Sequence, residues 1–223
     1  MCGRFTLTTN LGAIAKRFGV ARFLEEVGPR YNIAPTQTVI VVNDDGTRHL
    51  TQMQWGLIPS WAKDPAIGNR MINARGETVA TKPAFRVALR KRRCLIPADG
   101  FYEWQPVGRR KQPVYITLKT REPFSFAGLW ESWTAPDGEE IKSCTIITTE
   151  ANELLKRIHD RMPVILTREA EAVWLDPAIQ DPERLLPLLK PYSSEGMEVY
   201  PVSTKVNSPA NDGPECIEAM PPS

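Results

Sequence analysis

Short apolar runs rich in β-branched and aromatic residues recur along the chain at 39–42, 114–118, 124–130, 144–148, 164–166 and 199–202, each bounded by turn-forming residues. Runs of this length and composition predict strands. Asp44-Asp45-Gly46 and Pro136-Asp137-Gly138 carry the turn chemistry of hairpin connections, so antiparallel pairing is expected. Helical periodicity appears at 11–18, from 83 to about 91, and at 150–158, 169–174 and 181–190. Thr149 and Thr167 are positioned to cap the third and fourth of these helices. Asp181 followed by Pro182 supplies a cap and an N1 proline for the fifth, whose end Pro187 should distort. Strands interspersed with helices and no βαβ rhythm predict an α+β fold with a mainly antiparallel β core and flanking helices.

The chain has 223 residues, 42% of them hydrophobic, enough for one good-sized core, and a single domain spanning 1–223 is expected. There is no repeat, low-complexity tract or linker. The stretch from 207 to 223 is rich in Pro, Ser, Asn and acidic residues and is expected to run over the surface, loop-like after about 209, with its last residues mobile. No apolar stretch approaches the ~18 residues of a membrane span, and the beginning lacks the pattern of a secretory signal, so the expected location is the cytoplasm. Cys2, Cys94, Cys144 and Cys216 form no CxxC pair, and His49 and His159 are the only histidines. Neither a metal site, a disulfide framework nor a cofactor is expected. A net charge of +2 leaves nucleic-acid affinity to local patches, and no coiled-coil pattern calls for a second copy, so a monomer is expected.

Candidate chemistry begins at Cys2. If Met1 is removed, giving a mature chain of 2–223, Cys2 presents an amine and a thiol on adjacent carbons. An α-amino group with pKa ~7.8 is roughly 10% neutral at pH 7, against less than 0.1% for lysine at ~10.4, so it is suited to attack an aldehyde. The thiol, ordinarily near ~8.5, can then close onto the imine carbon to give a thiazolidine ring. A retained Met1 with Cys2 as a small buried hydrophobe is the alternative.

His159, at the expected end of a helix and beside Asp160, reads either as a protonated acid or as a C-terminal charge cap. Glu103 lies among Phe101, Tyr102 and Trp104, where desolvation would raise its pKa and let it shuttle protons. An edge-strand Glu facing water is the alternative, with Tyr102 and Trp104 on the opposite face. Asn73-Ala74-Arg75-Gly76-Glu77-Thr78 offers an amide, a guanidinium and a carboxylate, either for a sugar and phosphate or as a turn with a surface ion pair. Arg90-Lys91-Arg92-Arg93 is the densest basic run, followed by Arg109-Arg110-Lys111, and dipole complementarity at a helix end explains the first without a ligand. Trp61 can stack on an unpaired base, and Arg4, Arg75 and Arg161 can hold phosphates; core packing is the competing role for each tryptophan.

Five segments agree with one pattern: Met1-Cys2-Gly3-Arg4-Phe5; Arg30-Tyr31-Asn32-Ile33-Ala34-Pro35; Trp55-Gly56-Leu57 through Trp61 to Asn73-Ala74-Arg75; Ala98-Asp99 to Glu103-Trp104; and His159-Asp160-Arg161-Met162-Pro163. From Cys2 to about Pro209 the chain strongly resembles the SOS-response-associated peptidase (SRAP) family of abasic-site processing proteins. The resemblance implies an α+β fold with a positively charged groove for single-stranded DNA and the processed Cys2 at its active site. There the ring-opened aldehyde of an abasic sugar would be trapped as a thiazolidine cross-link, protecting the site from error-prone repair or breakage. It also implies that Glu103 and His159 transfer protons, that Asn73 positions the sugar, and that Arg4, Arg75 and Arg161 bind phosphates. By the same resemblance Asn32, Pro35, Trp61 and Trp104 shape the groove. Gly76 stands where many members carry a side chain, which would loosen that loop. The imine can also promote strand cleavage by β-elimination, a lyase activity, and the family name suggests self-removal of Met1, which a host aminopeptidase could equally carry out.

Two other functions fit parts of the pattern. An N-terminal-nucleophile hydrolase of amidotransferase type explains Cys2-Gly3 but not Arg4-Phe5 or the segments at 73–75 and 159–161. A non-catalytic reader of single-stranded DNA needs the Arg and Trp residues and is indifferent to Cys2. A proteolytic enzyme acting on other proteins is a further alternative.

Overall fold

The computed structural model describes residues 2–21 and 27–221; Met1, whose removal the sequence reading invokes, and the last two residues of the tail lie outside the described residues. In chain order the elements are β1 (Phe5–Leu7), α1 (Leu11–Phe18), β2 (Arg30–Ile33), β3 (Thr38–Asp44), β4 (Arg48–Trp55), β5 (Asn73–Arg75), α2 (Arg86–Lys91), β6 (Arg93–Ala98), β7 (Gly100–Val107), β8 (Arg110–Leu118) and β9 (Phe124–Thr134). They continue with β10 (Glu140–Glu150), β11 (Arg161–Pro163), β12 (Ile165–Leu166), α3 (Arg168–Leu175), α4 (Pro182–Leu185) and β13 (Met197–Pro201). The fold is α+β and mainly antiparallel, as the strand and turn pattern predicts.

Five strands close a ring in the order β10-β4-β3-β6-β9, with β9 returning to β10. Strict up-and-down alternation fails at one seam of any odd-membered ring. Here that seam is the parallel pair of β4 and β10, with Ser143 opposite Gln54 and Cys144 opposite Trp55. Immediately past the seam the chain leaves β4 at Gly56, whose φ of +131° favours glycine. A Cβ there would lie 2.7 Å from the carbonyl oxygen of Gly68, and one on Gly68 would lie 2.7 Å from the carbonyl oxygen of Gly56, so the two glycines press backbone against backbone. The excursion between them carries Trp61 outward. The chain then returns as β5, which takes over β10 where β4 leaves off, with Asn73 opposite Ile146 and Arg75 opposite Thr148.

The second sheet, in the order β13-β8-β7-β1-β2, packs on this barrel. Phe5 from β1 is the chief link, meeting Trp55 and Phe126 edge-on at centroid distances of 5.2 and 5.7 Å. The apolar faces of both sheets merge into one large core cluster. A smaller one beyond the second sheet holds Tyr102, Tyr115, Val202, Val206 and Cys216.

The capped helices appear as predicted where local chemistry is strong. Asn10 caps α1, Gly19 ends it in the left-handed conformation, and Thr167 caps α3 by accepting from the Ala170 N–H. Three expectations are corrected. Residues 150–158 do not form a helix: Glu150 still belongs to β10, and a run of turns follows, capped by Asn152 rather than Thr149 through a 3.0 Å bond from the Leu155 N–H. The helix expected from 83 begins only at Arg86, and the one expected over 181–190 is a single α-turn, Pro182–Leu185, that passes at Pro187 into a 3-10 turn, Leu186–Leu188.

The tail is loop-like after about 209 but not loosely held. Asp212 accepts from Arg30 Nε at 2.5 Å and from the N–H groups of Tyr31 and Asn32 at 2.5 and 2.7 Å, and Cys216 is fully buried.

Candidate active site

The first described residues are laid down by β1. Antiparallel pairing sets Phe5 opposite Phe101, and the Tyr102 N–H donates to the Arg4 carbonyl at 3.0 Å. One step further along β7 comes Glu103, and two residues back from Arg4 comes Cys2, so strand register alone brings the carboxyl toward the cysteine. Alternation along β7 holds as expected, with Tyr102 and Trp104 in the smaller cluster and Phe101 in the main core. Glu103 does not face water, however: it is only 5% exposed. Burial pushes its carboxyl up to about 7, with the negative charge of Asp160 adding to the effect.

Cys2 is fully buried, and its thiol donates weakly to the Arg4 carbonyl, 3.9 Å away. Burial first, and then the Glu103 charge, raises the thiol far above its ordinary range, so at neutral pH the sulfur is protonated. The Cys2 carbonyl accepts a 2.9 Å hydrogen bond from Nδ2 of Asn73, which ties the N-terminal segment to β5. Oδ1 of the same amide is buried and makes no hydrogen bond to any described residue.

His159 lies before β11, the strand paired with the end of β10. The sequence reading expects its protonated form to be favoured by a helix C-terminus and Asp160. With no helix there, desolvation dominates and lowers its pKa, the nearby charges of Lys111 and Arg161 act in the same direction, and Asp160 only partly opposes them. Nδ1 lies 3.0 Å from the Arg161 N–H and 2.7 Å from Oδ1 of Asp160. The first contact needs a lone pair on Nδ1 and the second a proton, so the ring has a partner in either protonation state.

Of the three arginines, Arg75 is exposed on β5, whereas Arg4 and Arg161 are already engaged. Arg161 grips Glu77 with both terminal nitrogens, at 2.5 and 2.9 Å, and also donates to the Thr148 carbonyl at 2.7 Å. Burial lowers the pKa of Arg4, whose guanidinium donates to Oδ1 of Asn32 and the Val206 carbonyl, both at 2.7 Å, and lies 5.8 Å from the Trp104 ring. Asn32 therefore bears on this region through Arg4. It is fully buried, orients Arg4, and donates to the carbonyls of Val206, Ser208 and Asn211.

Trp104 is half-buried, its Nε1 donating to Oδ1 of Asn207 at 2.7 Å. Pro35 is half-buried in the turn between β2 and β3, and Trp61, 59% exposed, lines a separate cavity of about 290 Å³ with Lys63, Ile67 and Arg70. The largest cavity described, about 670 Å³ between α3 and residues 187–193, contains none of the expected site residues. Gly76 does not loosen its loop. Its N–H donates to the Thr148 carbonyl at 2.8 Å, and a Cβ would sit 3.3 Å from that oxygen and 3.4 Å from Leu189, so the absent side chain permits a close fit.

Sequence reasoning missed two contributors. Asp212 fastens the tail across β2 beneath Arg4, and Glu77 was counted only as one member of a polar segment; its partner, 84 residues away, has no local signal.

A closed five-stranded barrel with a flanking sheet, and a buried Cys2 held through its carbonyl by Asn73 and sensing the charge of Glu103, define a class of mixed-β proteins built around residue 2. Residues 1–209 match the family model described as SOS response associated peptidase (SRAP), and the chain belongs to that family. It is 51% identical to the abasic site processing protein YoqW of Bacillus subtilis (strain 168), over 98% of this chain and 100% of that one. It is 35% identical to the abasic site processing protein HMCES of Xenopus tropicalis, over 86% of this chain and 66% of that one. The fold superposes on a crystal structure of a Bacteroides thetaiotaomicron protein with a TM-score of 0.91 and 29% identity, covering 98% of this chain and 100% of that chain.

Proposed function

We propose that this protein processes abasic sites in single-stranded DNA, and that Cys2, once Met1 is removed, captures the abasic aldehyde as a stable covalent adduct. The observation that carries this reading is the hydrogen bond from Asn73 to the Cys2 carbonyl beside a carboxyl raised to about 7. It fixes a residue whose backbone nitrogen becomes the nucleophile and pairs it with a group able to give and take protons at neutral pH. The relatives named as abasic site processing proteins supply the substrate class.

The amine adds to the aldehyde carbon, and loss of water, with a proton from Glu103 or His159, leaves the imine. The Cys2 sulfur then bonds to the imine carbon while the thiol proton passes by way of the Glu103 carboxylate to the nitrogen, closing the thiazolidine with no net gain or loss of protons. Burial keeps the thiol protonated, so ring closure needs an acceptor for its proton, the part given to Glu103. Asn73 holds the sugar and Cys2 in register, Arg4, Arg75 and Arg161 receive phosphates, and Trp61 and Trp104 border the strand. Where ring closure is slow, the imine permits β-elimination, a lyase side reaction. The protein acts as a single-domain monomer in the cytoplasm.

The test is to incubate Met-processed protein with single-stranded DNA carrying an abasic site, denature, and look for a heat-resistant adduct. Cys2→Ala should abolish the adduct while retaining DNA binding. An equally stable adduct in that variant would overturn the thiazolidine, and glutaminase activity without cross-linking would favour the amidotransferase alternative.

A further inference from the structure

The basic run at 90–93 divides in the fold. Arg93 is buried and spends its guanidinium on the carbonyls of Leu89, Arg90, Trp174 and Asp176, closing the ends of α2 and α3, while Arg92 pairs with Glu131. Arg90 and Lys91 are left exposed, and with Lys82 and Arg86 they make four cations that form no ion pair among the described residues.

Their spacing is regular. The Arg86 N–H donates to the Lys82 carbonyl at 2.9 Å, and α2 then runs from Arg86 to Lys91, so Arg86 and Arg90 share one helical face and Lys82 sits in the turn that leads into it. At a rise of 1.5 Å per residue Arg86 and Arg90 stand about 6 Å apart along α2. A cavity of about 610 Å³ opens alongside, lined by Ala80, Thr81, Arg86, Val87 and Arg90. Eight of the chain's 28 cationic side chains and one of its 26 acidic ones lie within residues 65–98. This stretch therefore carries +7 and the rest of the chain −5. The one acid, Glu77, is already paired with Arg161.

The row is also continuous with the candidate site. The Thr78 N–H donates to the Arg75 carbonyl and the Lys82 N–H to the Thr78 carbonyl, so two turns of chain lead from β5 and Asn73 to the first cation. No aromatic side chain is exposed along it, Phe85 being half-buried. Such a surface offers nothing for bases to stack on and only charge for phosphates.

We propose that Lys82, Arg86, Arg90 and Lys91 form a track for the sugar–phosphate backbone of the DNA flanking the reacting sugar, a reading that rests on the function proposed above. The track adds affinity and reach without reading sequence.

The test compares binding of a fluorescein-labelled, undamaged single-stranded oligonucleotide by the full chain over a range of KCl concentrations. Each phosphate neutralised contributes about 0.7 to the slope of log K against log salt for a single strand, so Lys82→Ser, Arg86→Ser and Arg90→Ser combined should lower that slope by about 2. Combining Lys16→Ser, Arg184→Ser and Lys190→Ser, a charge-matched change elsewhere, should leave it unaltered. The pair Arg86→Lys and Arg90→Lys should keep the wild-type slope, which separates lost charge from a damaged fold. An unchanged slope in the first variant, or an equal drop in the second, overturns the track. Failure of wild-type protein to form an adduct with abasic DNA would overturn the proposed chemistry and leave the salt comparison to decide the track by itself.

Discussion

Nδ2 of Asn73 donates to the carbonyl oxygen of Cys2 at 2.9 Å, across 71 residues of sequence. The bond exists because β10 exchanges β4 for β5 as its partner, which carries Asn73 to the N-terminal segment. An amide in this place orients the nucleophile without titrating. Asn73→Ala should slow single-turnover adduct formation by about 10- to 100-fold, as loss of a positioning contact does, with DNA affinity changed less than about 2-fold. An affinity loss matching the rate loss would assign Asn73 to binding alone.

Glu103 links reactivity to stability with opposite signs. Its carboxyl is raised from the ordinary 4.5 to about 7 by burial, so the folded protein holds the proton more tightly than the unfolded chain does. That contribution to stability is full below the unfolded value and is lost as pH rises toward and past about 7, where burying the charge costs about 3 kcal/mol. Glu103→Gln should therefore raise the urea midpoint at pH 8 and barely change it at pH 5. The same variant should lower the adduct-forming rate on the order of 100-fold and remove the inflection near pH 7 from its pH profile. A Gln variant less stable at pH 8, with wild-type kinetics, would make Glu103 a structural residue.

How much of this was legible in the sequence depends on the distance over which each signal acts. Thr167 and the two Asp-Gly turns are local, and their elements appear where expected. β4 was missed because Thr51, Gln52 and Gln54 interrupt its apolar positions; the strand is held by pairing to β3 rather than by its own composition. Residues 150–158 have helical spacing, but β10 is extended through Glu150 by pairing with β9, β5 and β11, and that tertiary demand overrides local propensity. At the site, alternation along β7 separated Glu103 from Tyr102 and Trp104 correctly. It could not reveal that a second element covers the Glu103 face. The depressed His159 pKa was illegible for the same reason, since desolvation depends on what packs around the ring.

Arg161 holds Glu77 in the bidentate geometry that a phosphate would also take. Glu77 is half exposed, 52% by side chain, so the pair adds little to stability, on the order of 0–1 kcal/mol. Its pKa is lowered by the Arg161 hydrogen bonds, which keeps it ionised and competing for the guanidinium throughout the neutral range. Glu77→Gln should tighten single-stranded DNA binding several-fold at low salt, and Arg161→Ala should weaken it in either background. Measured by anisotropy, looser binding by Glu77→Gln would show that the carboxylate instead holds Arg161 in its working position.

The family match ends at residue 209, yet the residues beyond it complete the support of Arg4. Asn32 positions that guanidinium, and the backbone N–H groups of Tyr31 and Asn32 are both satisfied by Asp212. The Asn211 carbonyl takes a third bond from Asn32, and Cys216 fills the smaller core cluster beside Tyr102 and Tyr115. Truncation after Pro209 strips these contacts and opens buried donors that cost about 1–3 kcal/mol each when left unpaired. The truncated chain should lose more than about 3 kcal/mol of stability by urea denaturation. Asp212→Asn, which keeps the shape but removes the charge facing Arg30, should lose about 1–2 kcal/mol. Because Arg4 rests on the same bonds, DNA affinity should fall with stability in the truncated chain. A truncated chain as stable as the full one, binding DNA equally, would return residues 210–223 to the loosely held surface segment that their composition suggests.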